Sequence, residues 1–223
     1  MSGIFYSVSV GPGDPELLTL KAVRIIKSCP VVAAPRTKGG NMLALSIAEQ
    51  VIDMTGKTVI PLEFPMKPDW TVQHENHRRI AEQLAVHLGN GQDVAMLNIG
   101  DVSLYSSCTY IAEELAEMGF ETKMCAGVPS FCAAAAELNI PLSGGSEPLT
   151  IIPAQYDNAR TMIGLDGTKV IMKSGKKLSE IKEMLSGSGT VFAVENCGFP
   201  DQKLYSDTDE TTDCGYLTVM IVK

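Results

Sequence analysis

The chain has 223 residues, 45% of them hydrophobic, which is enough for two compact domains with buried cores. Acidic residues outnumber basic ones by 26 to 18, and the net charge of −8 argues against a nucleic-acid-binding surface, which needs a basic face. The six cysteines form no CxxC pair or zinc-ligand cluster, and the first residues resemble neither a signal peptide nor a membrane span. We therefore expect a cytoplasmic protein with reduced cysteines and no membrane contact.

Short apolar runs alternate with helix-length segments in the first half of the sequence. This alternation is typical of an α/β layer with a largely parallel sheet. The first helix should begin with Asp14 as its cap and Pro15 at its first position. The predicted strands are 4–10, 31–34, 59–62 and 94–99, and the predicted helices are 15–28, 41–54, 73–88 and 106–118.

The pattern starts again at Glu121, so we predict two α/β domains, residues 1–120 and 121–223. No amphipathic helix separates the last two predicted strands, and the turn-rich, acidic stretch between them indicates an antiparallel return. The second sheet should therefore be mixed. Its predicted strands are 122–126, 149–152, 168–172, 190–195 and 217–222, with helices at 130–138, 155–164 and 176–186.

The turn GPGDP, residues 11–15, joins the first strand to the first helix, where backbone N–H groups can face a ligand. It is not a dinucleotide fingerprint, because Glu16 stands where that motif needs glycine and the second strand ends without an acidic residue. His74 and His77 share a helical face, but their spacing is not HExxH and no third ligand is evident. We predict no metal site.

A second loop, Asn98–Ser107, closes the fourth strand and opens a helix, at the edge where ligands collect in α/β sheets. Its GDVSLYSS sequence and the GPGDPELLTLKA run from Gly11 to Ala22 resemble the tetrapyrrole methylase family, whose members carry a GPGDPxLLTLKA start and a GDxxxY loop. Further similar segments are AGVPS at 126–130, IMK at 171–173 and VENC at 194–197, so the resemblance covers essentially the whole chain. Val102 and Ala126 stand where most members have proline.

The resemblance implies a two-domain tetrapyrrole methylase fold with the active site in the cleft between the domains. It also implies S-adenosylmethionine as the methyl donor and S-adenosylhomocysteine as the product, with several contacts made by backbone groups. The residues that it assigns to the cofactor are Pro12, Gly100, Asp101, Leu104, Ser106 and Ser107 in the first domain and Met172, Asn196, Cys197, Tyr216 and Leu217 in the second.

Within the family, the GDVSxYS and VENCG forms look most like the branch that methylates carbon 20 of precorrin-2 or cobalt-factor II in cobalamin biosynthesis. Methylation at another ring position, uroporphyrinogen III methylation and a diphthine-synthase-like reaction are the alternatives on this fold. A noncatalytic nucleotide-binding or interaction module is the alternative from another class. After methyl transfer the substrate needs to lose a proton, for which Asp101 and Tyr105 are the candidates. Asp101 has the alternative role of ordering its loop.

The tetrapyrrole substrate carries acetate and propionate groups, which need cationic anchors on an otherwise acidic protein. Arginine suits carboxylates because its guanidinium binds them in a bidentate manner. Arg36 with Lys38, and Arg78 with Arg79, are the predicted anchors, although the latter pair also fits a solvated helix face. The family resemblance further implies a homodimer.

Overall fold

The computed structural model describes residues 1–65, 69–154, 159–173, 189–206 and 214–223. The chain divides into two compact units, Met1–Pro129 and Ser130–Lys223. Within the described residues, no helix has both the length and the apolar character needed to cross a membrane.

The first unit contains five parallel strands in the order β3-β2-β4-β1-β5. Its strands are β1 (Ile4–Ser9), β2 (Val31–Arg36), β3 (Thr58–Glu63), β4 (Val94–Asn98) and β5 (Glu121–Cys125). Its helices are α1 (Leu20–Ser28), α2 (Leu43–Ala48), α3 (Trp70–Gly89) and α4 (Ser107–Glu117), and a 3-10 turn covers Pro15–Leu17. The parallel sheet and its four strands between residues 4 and 98 are therefore confirmed.

The core of the first unit forms between this sheet and the helices α3 and α4. Phe5, Leu84, Met96 and Ile111 are all fully or almost fully buried there. The run of Val31 to Ala34 in β2 is apolar without alternation because both faces of a central parallel strand are covered. Each large side chain buried in this way contributes roughly 1.5–3 kcal/mol.

The second unit contains a mixed sheet in the order β6-β7-β10-β8-β9, built on a small core that includes Ile152, Ile171 and Met220. The pairs β7–β10, β10–β8 and β8–β9 are antiparallel, which confirms the predicted antiparallel return. Its strands are β6 (Leu149–Pro153), β7 (Thr168–Met172), β8 (Val191–Glu195), β9 (Lys203–Ser206) and β10 (Thr218–Val222). Its described helices are α5 (Ser130–Glu137) and α6 (Ala159–Ile163).

Three features of the structure differ from the sequence prediction. The segment 121–125 does not open the second unit, because β5 pairs in parallel with β1, from Ile4 opposite Glu121 onward, and the division falls after Pro129. The helix predicted over 15–28 is two elements, since Thr19 accepts a hydrogen bond from the Ala22 N–H and starts α1 afresh. The predicted turn region after residue 198 also contains β9. The helix predicted over 176–186 and the start of that over 155–164 lie outside the described residues.

Candidate functional site

The loops that follow β1 and β4 meet at the carboxyl edge of the first sheet. From β1 the chain crosses to β2 on one side, and from β4 it crosses to β5 on the other side, so the two connections run in opposite directions along the sheet. In α/β proteins, this change of direction opens a crevice in which ligands bind. Gly11 and Gly100 form an isolated bridge in which the Gly100 N–H donates to the Gly11 carbonyl at 2.7 Å. Both residues have positive φ, 76° and 75°, so glycine is the residue that this junction favours.

The loop after β5 is fastened to the same edge through Ser9. The Ser9 hydroxyl donates to the Cys125 carbonyl at 2.7 Å and accepts from the Val102 N–H at 3.0 Å, and the side chain is fully buried. Gly127 packs directly on it, because a Cβ at that position would lie 2.3 Å from the Ser9 Cβ and 3.0 Å from the Gly100 carbonyl oxygen. Three loops therefore touch through backbone and small side chains.

Asp101 lies at the centre of this junction, and its carboxylate is fully engaged in hydrogen bonds. Oδ2 accepts from the Gly127 N–H at 2.7 Å, and Oδ1 accepts from both the N–H and the hydroxyl of Ser103. Burial acts to raise the pKa of Asp101, but the hydrogen bonds from Gly127 and Ser103 outweigh it and hold the pKa below its ordinary value. Such a carboxylate is a weak proton acceptor, which favours the loop-ordering role over the catalytic one.

The residues after Asp101 open helix α4. Ser106 is buried and caps the helix, accepting from the Cys108 N–H at 3.1 Å while its hydroxyl donates to Asn98 Oδ1 at 2.8 Å. This hydroxyl therefore has both an acceptor and a donor partner within the first unit. Tyr105 has a positive φ of 51° and is 45% exposed.

The structure brings together the six residues that the resemblance assigns to the cofactor in the first unit. Pro12 is buried beside the Gly11–Gly100 bridge, and Leu104 and Ser107 are half-buried on the second loop. All six lie on the two loops that this bridge joins. Their contact with a cofactor stays a prediction.

The five second-unit residues that the resemblance assigns to the cofactor lie at one edge of the mixed sheet. Met172 ends β7, Asn196 and Cys197 directly follow β8, and Tyr216 and Leu217 directly precede β10. Because β10 runs antiparallel to both β7 and β8, these positions share an edge. The Asn196 N–H donates to the Leu217 carbonyl at 2.9 Å, so the two segments are directly connected.

Glu195 connects the segments at this edge, although it was not among the site residues predicted from the sequence. Its buried carboxylate accepts from the Gly215 N–H at 2.6 Å and from the Tyr205 hydroxyl at 3.1 Å, with Lys203 Nζ at 3.9 Å. Burial, together with the hydrogen bond to Glu195, raises the pKa of Tyr205 to about 12. In the sequence, the only indication of this role is that a charged residue ends the otherwise apolar strand VFAVE. Glu195 thus fixes the chain just before Tyr216.

The four predicted substrate anchors lie on exposed parts of the first unit. Arg36 forms an ion pair with Glu63, and Arg78 Nε lies 3.4 Å from Glu82 Oε1 one helical turn away. Lys38 and Arg79 are exposed and make no ion pair within the described ranges. Exposed pairs of this kind contribute about 0–1 kcal/mol, so the guanidinium groups can exchange these partners for a substrate carboxylate.

His74 and His77, two of the three histidines of α3, contact side chains of α4. His74 Nδ1 lies 3.2 Å from Glu114 Oε1, and His77 stacks on Tyr110. In the part of the chain that the structure describes, no group of three or more His, Cys, Asp or Glu side chains is arranged to hold a metal ion.

Comparison with known proteins decides the family. The family model described as "Tetrapyrrole (Corrin/Porphyrin) Methylases" matches residues 5–212. The chain belongs to the tetrapyrrole methylase family. The two-unit α/β fold, with one parallel and one mixed sheet, is the fold of this family, as the sequence resemblance implied.

Individual tetrapyrrole methylases resemble the chain over nearly its whole length. A "Probable cobalt-precorrin-2 C(20)-methyltransferase" from Methanocaldococcus jannaschii is 34% identical, covering 98% of this chain and 95% of the relative. The "Cobalamin biosynthesis protein CobIJ" of Mycobacterium bovis is 31% identical over 94% of this chain, which spans 44% of that longer protein. The crystal structure of a uroporphyrin-III C-methyl transferase from Thermus thermophilus, complexed with S-adenyl homocysteine, superposes with a TM-score of 0.74 at 20% identity, covering 99% and 97% of the two chains.

Proposed function

We propose that this tetrapyrrole methylase transfers a methyl group from S-adenosylmethionine to carbon 20 of precorrin-2 or cobalt-factor II, in the biosynthesis of cobalamin. The observation that carries the proposal is the near-full-length similarity to the Methanocaldococcus jannaschii protein, whose name states a carbon-20 reaction on cobalt-precorrin-2. The GDVSLYSS loop and the VENCG run support the same branch of the family.

The chemistry of the first-unit loops fits a sulfonium cofactor. Asp101 is the charged side chain at the junction of the loops, and its lowered pKa keeps it ionised, which favours a cation nearby. The hydroxyl of Ser106 already bonds to Asn98 and to the Cys108 N–H, and we propose that this loop contacts the cofactor mainly through backbone groups. When bound, S-adenosylmethionine supplies the methyl group from its sulfonium centre. We propose that Pro12 and Gly100 contribute further backbone contacts.

The protein itself needs no nucleophile for this reaction, because an electron-rich carbon of the substrate takes the methyl group directly. Four of the six cysteines agree with this scheme. Burial raises the pKa of Cys29 to about 11 and that of Cys108 to about 12, and it also raises the pKa of Cys125 and Cys132. These thiols stay protonated at neutral pH and are therefore poor nucleophiles. The contribution of the chain is to hold donor and acceptor in line, which supplies much of the rate.

Proton removal after transfer is the remaining step in which a side chain is required. Asp101 is a weak acceptor, for the reasons given above, whereas Tyr105 stands 45% exposed on the same loop. We propose that the Tyr105 hydroxyl assists proton loss as a relay, accepting the proton from the substrate carbon while its own proton passes to water, with Asp101 holding the loop in place. Arg36, Lys38, Arg78 and Arg79 are the proposed anchors of the substrate carboxylates.

Two experiments test the proposal at separate levels. Stabilisation of the purified protein by S-adenosylhomocysteine, but not by NAD or ATP, is expected for a methyltransferase and excludes a nucleotide-binding module. Incubation with S-adenosylmethionine and precorrin-2 or cobalt-factor II should then add the mass of one methyl group to one of the two. If the first test succeeds and neither substrate gains mass, the carbon-20 assignment fails and uroporphyrinogen III and diphthine precursors become the substrates to assay. We also propose that the protein is a homodimer, as the family resemblance implies, and sedimentation of the same preparation tests this.

A further inference from the structure

A small cavity lies between helices α3 and α4 of the first unit, apart from the loops described above. Its volume is about 180 Å³, and both helices contribute side chains to its wall. Small-molecule sites of enzymes usually measure about 300–1,000 Å³. The cavity is therefore too small for a tetrapyrrole or for S-adenosylmethionine, and it matches a group of the size of one amino-acid side chain.

One wall of the cavity is aromatic. The ring of Tyr110 stacks on His77, with centroids 4.9 Å apart and planes inclined by 4°, and Trp70 meets Tyr110 edge-on at 5.6 Å and 74°. Trp70 is 58% exposed and Tyr110 40% exposed, so both rings present area to an incoming group. Faces of tryptophan and tyrosine attract ammonium and guanidinium groups through the charge distribution of their π systems.

Three carboxylates of α4 also line the cavity. They belong to Glu113, Glu114 and Glu117, and the lining includes no lysine or arginine among the residues that the structure describes. His74 also lines the cavity, and its Nδ1 lies 3.2 Å from Glu114 Oε1. Even with His74 protonated, the lining keeps an excess of negative charge, which repels the carboxylates of a tetrapyrrole and favours a cation.

His77 adds an observation that is independent of the acidic residues. Its side chain is only 5% exposed and lines the cavity, yet neither ring nitrogen has a hydrogen-bond partner among the residues that the structure describes. Burial, with a contribution from His74, lowers the pKa of His77, so its ring is neutral at pH 7 and one nitrogen is an acceptor. The accepting nitrogen can therefore take a hydrogen bond from an N–H group of a ligand in the cavity.

We propose that this cavity is a binding site for a side-chain-sized organic cation, an alkylammonium or guanidinium group. The cation lies against Trp70 and Tyr110, is balanced by Glu113, Glu114 and Glu117, and donates to His77. A metal ion is a poorer match, since the described residues hold no cluster of three or more His, Cys, Asp or Glu side chains with metal-binding geometry. The site is distinct from the proposed methyl-transfer site, and the proposal does not depend on that function.

Trp70 makes the site directly observable, because it is the single tryptophan of the chain. Titration of the intact protein with agmatine, at constant ionic strength maintained with NaCl, should give a saturable change in tryptophan fluorescence. n-Butylammonium should do the same, and the neutral n-butanol should not. A further arm with N-acetyl-L-arginine N-methylamide distinguishes the source of the cation. Binding of this blocked arginine indicates a basic side chain of a protein, and binding of agmatine alone indicates a free small molecule.

A matched pair of variants separates local recognition from overall charge. Glu113→Gln with Glu117→Gln removes two carboxylates of the site, and the affinity for agmatine should fall about tenfold. Glu16→Gln with Glu49→Gln removes two exposed carboxylates elsewhere and should leave the affinity unchanged. Calorimetric titration repeats the measurement without reliance on fluorescence. The absence of saturable binding, or an equal loss of affinity in both double variants, overturns the proposal.

Discussion

Replacing Gly127 with alanine is the sharpest test of how the loops of the first unit are held together. The added Cβ would lie 2.3 Å from the Ser9 Cβ, against an ordinary carbon–carbon contact of about 3.5–4.0 Å. Ser9 cannot retreat without losing its hydrogen bonds to the Cys125 carbonyl and the Val102 N–H. The strain also displaces the Gly127 N–H, which donates to Asp101 at 2.7 Å.

The magnitude follows from these contacts. Overpacking of a buried site costs about 1–3 kcal/mol, and loss of a hydrogen bond to an ionised group costs about 1.5–3 kcal/mol. Since the two effects share one displacement, we expect Gly127→Ala to lower the free energy of unfolding of the first unit by about 3 kcal/mol. Gly89→Ala is the matched control, because nothing lies within 4 Å of an added Cβ at Gly89.

Urea unfolding followed by tryptophan fluorescence is the appropriate assay, because the single tryptophan, Trp70, lies in the first unit. The midpoint of Gly127→Ala should shift strongly to lower urea, and that of Gly89→Ala should stay within about 1 kcal/mol of the parent protein. If the two variants prove equally stable, the close packing of Gly127 on Ser9 is not what holds these loops together.

Three further predictions concern the carboxylates and the helix cap. The pKa of Asp101 is lower in the folded protein, so the stabilisation by its carboxylate is present above about pH 4 and is lost as the pH falls through the folded pKa. The difference in free energy of unfolding between the parent protein and Asp101→Asn should therefore shrink in acid, and a constant difference contradicts this. In Glu195→Gln the pKa of Tyr205 should fall below about 12, measured by phenolate absorbance, and an unchanged titration contradicts the assigned hydrogen bond. Ser106→Ala should cost about 1 kcal/mol in urea unfolding, because α4 loses its cap and Asn98 loses a donor, and an unchanged midpoint contradicts this role of Ser106.

Hydrophobic pattern and turn residues predicted most elements of the fold, because they act over short stretches of chain. The apolar run at Val31 and the strand at 168–172 are examples in which pattern and structure agree. The division between the units was misplaced because pairing of β5 with β1 joins residues far apart in sequence, such as Ile4 and Glu121. Strand β9 was missed because its side chains are largely exposed and its stability comes from pairing with β8.

For the candidate site, the sequence located the loops, while the contacts of their residues with a cofactor or substrate stay a prediction. The GPGDP and GDVSLYSS motifs located the two loops, since short motifs of fixed conformation are visible in a single sequence. Sequence did not reveal that Asp101 binds the Gly127 N–H, or that Glu195 holds Gly215, because both contacts cross between distant segments. The cavity beside Trp70 was missed for the same reason, as it exists only where α3 packs on α4.

The position of the transferred methyl group tests the central claim most directly. The protein should be incubated with S-adenosylmethionine carrying a ¹³C-labelled methyl group, in parallel with precorrin-2 and with cobalt-factor II, and the product mapped by ¹³C NMR. We predict one new methyl resonance on carbon 20 of one of the two substrates. A labelled methyl group on any other ring carbon, or no incorporation into either macrocycle, would contradict the proposed function.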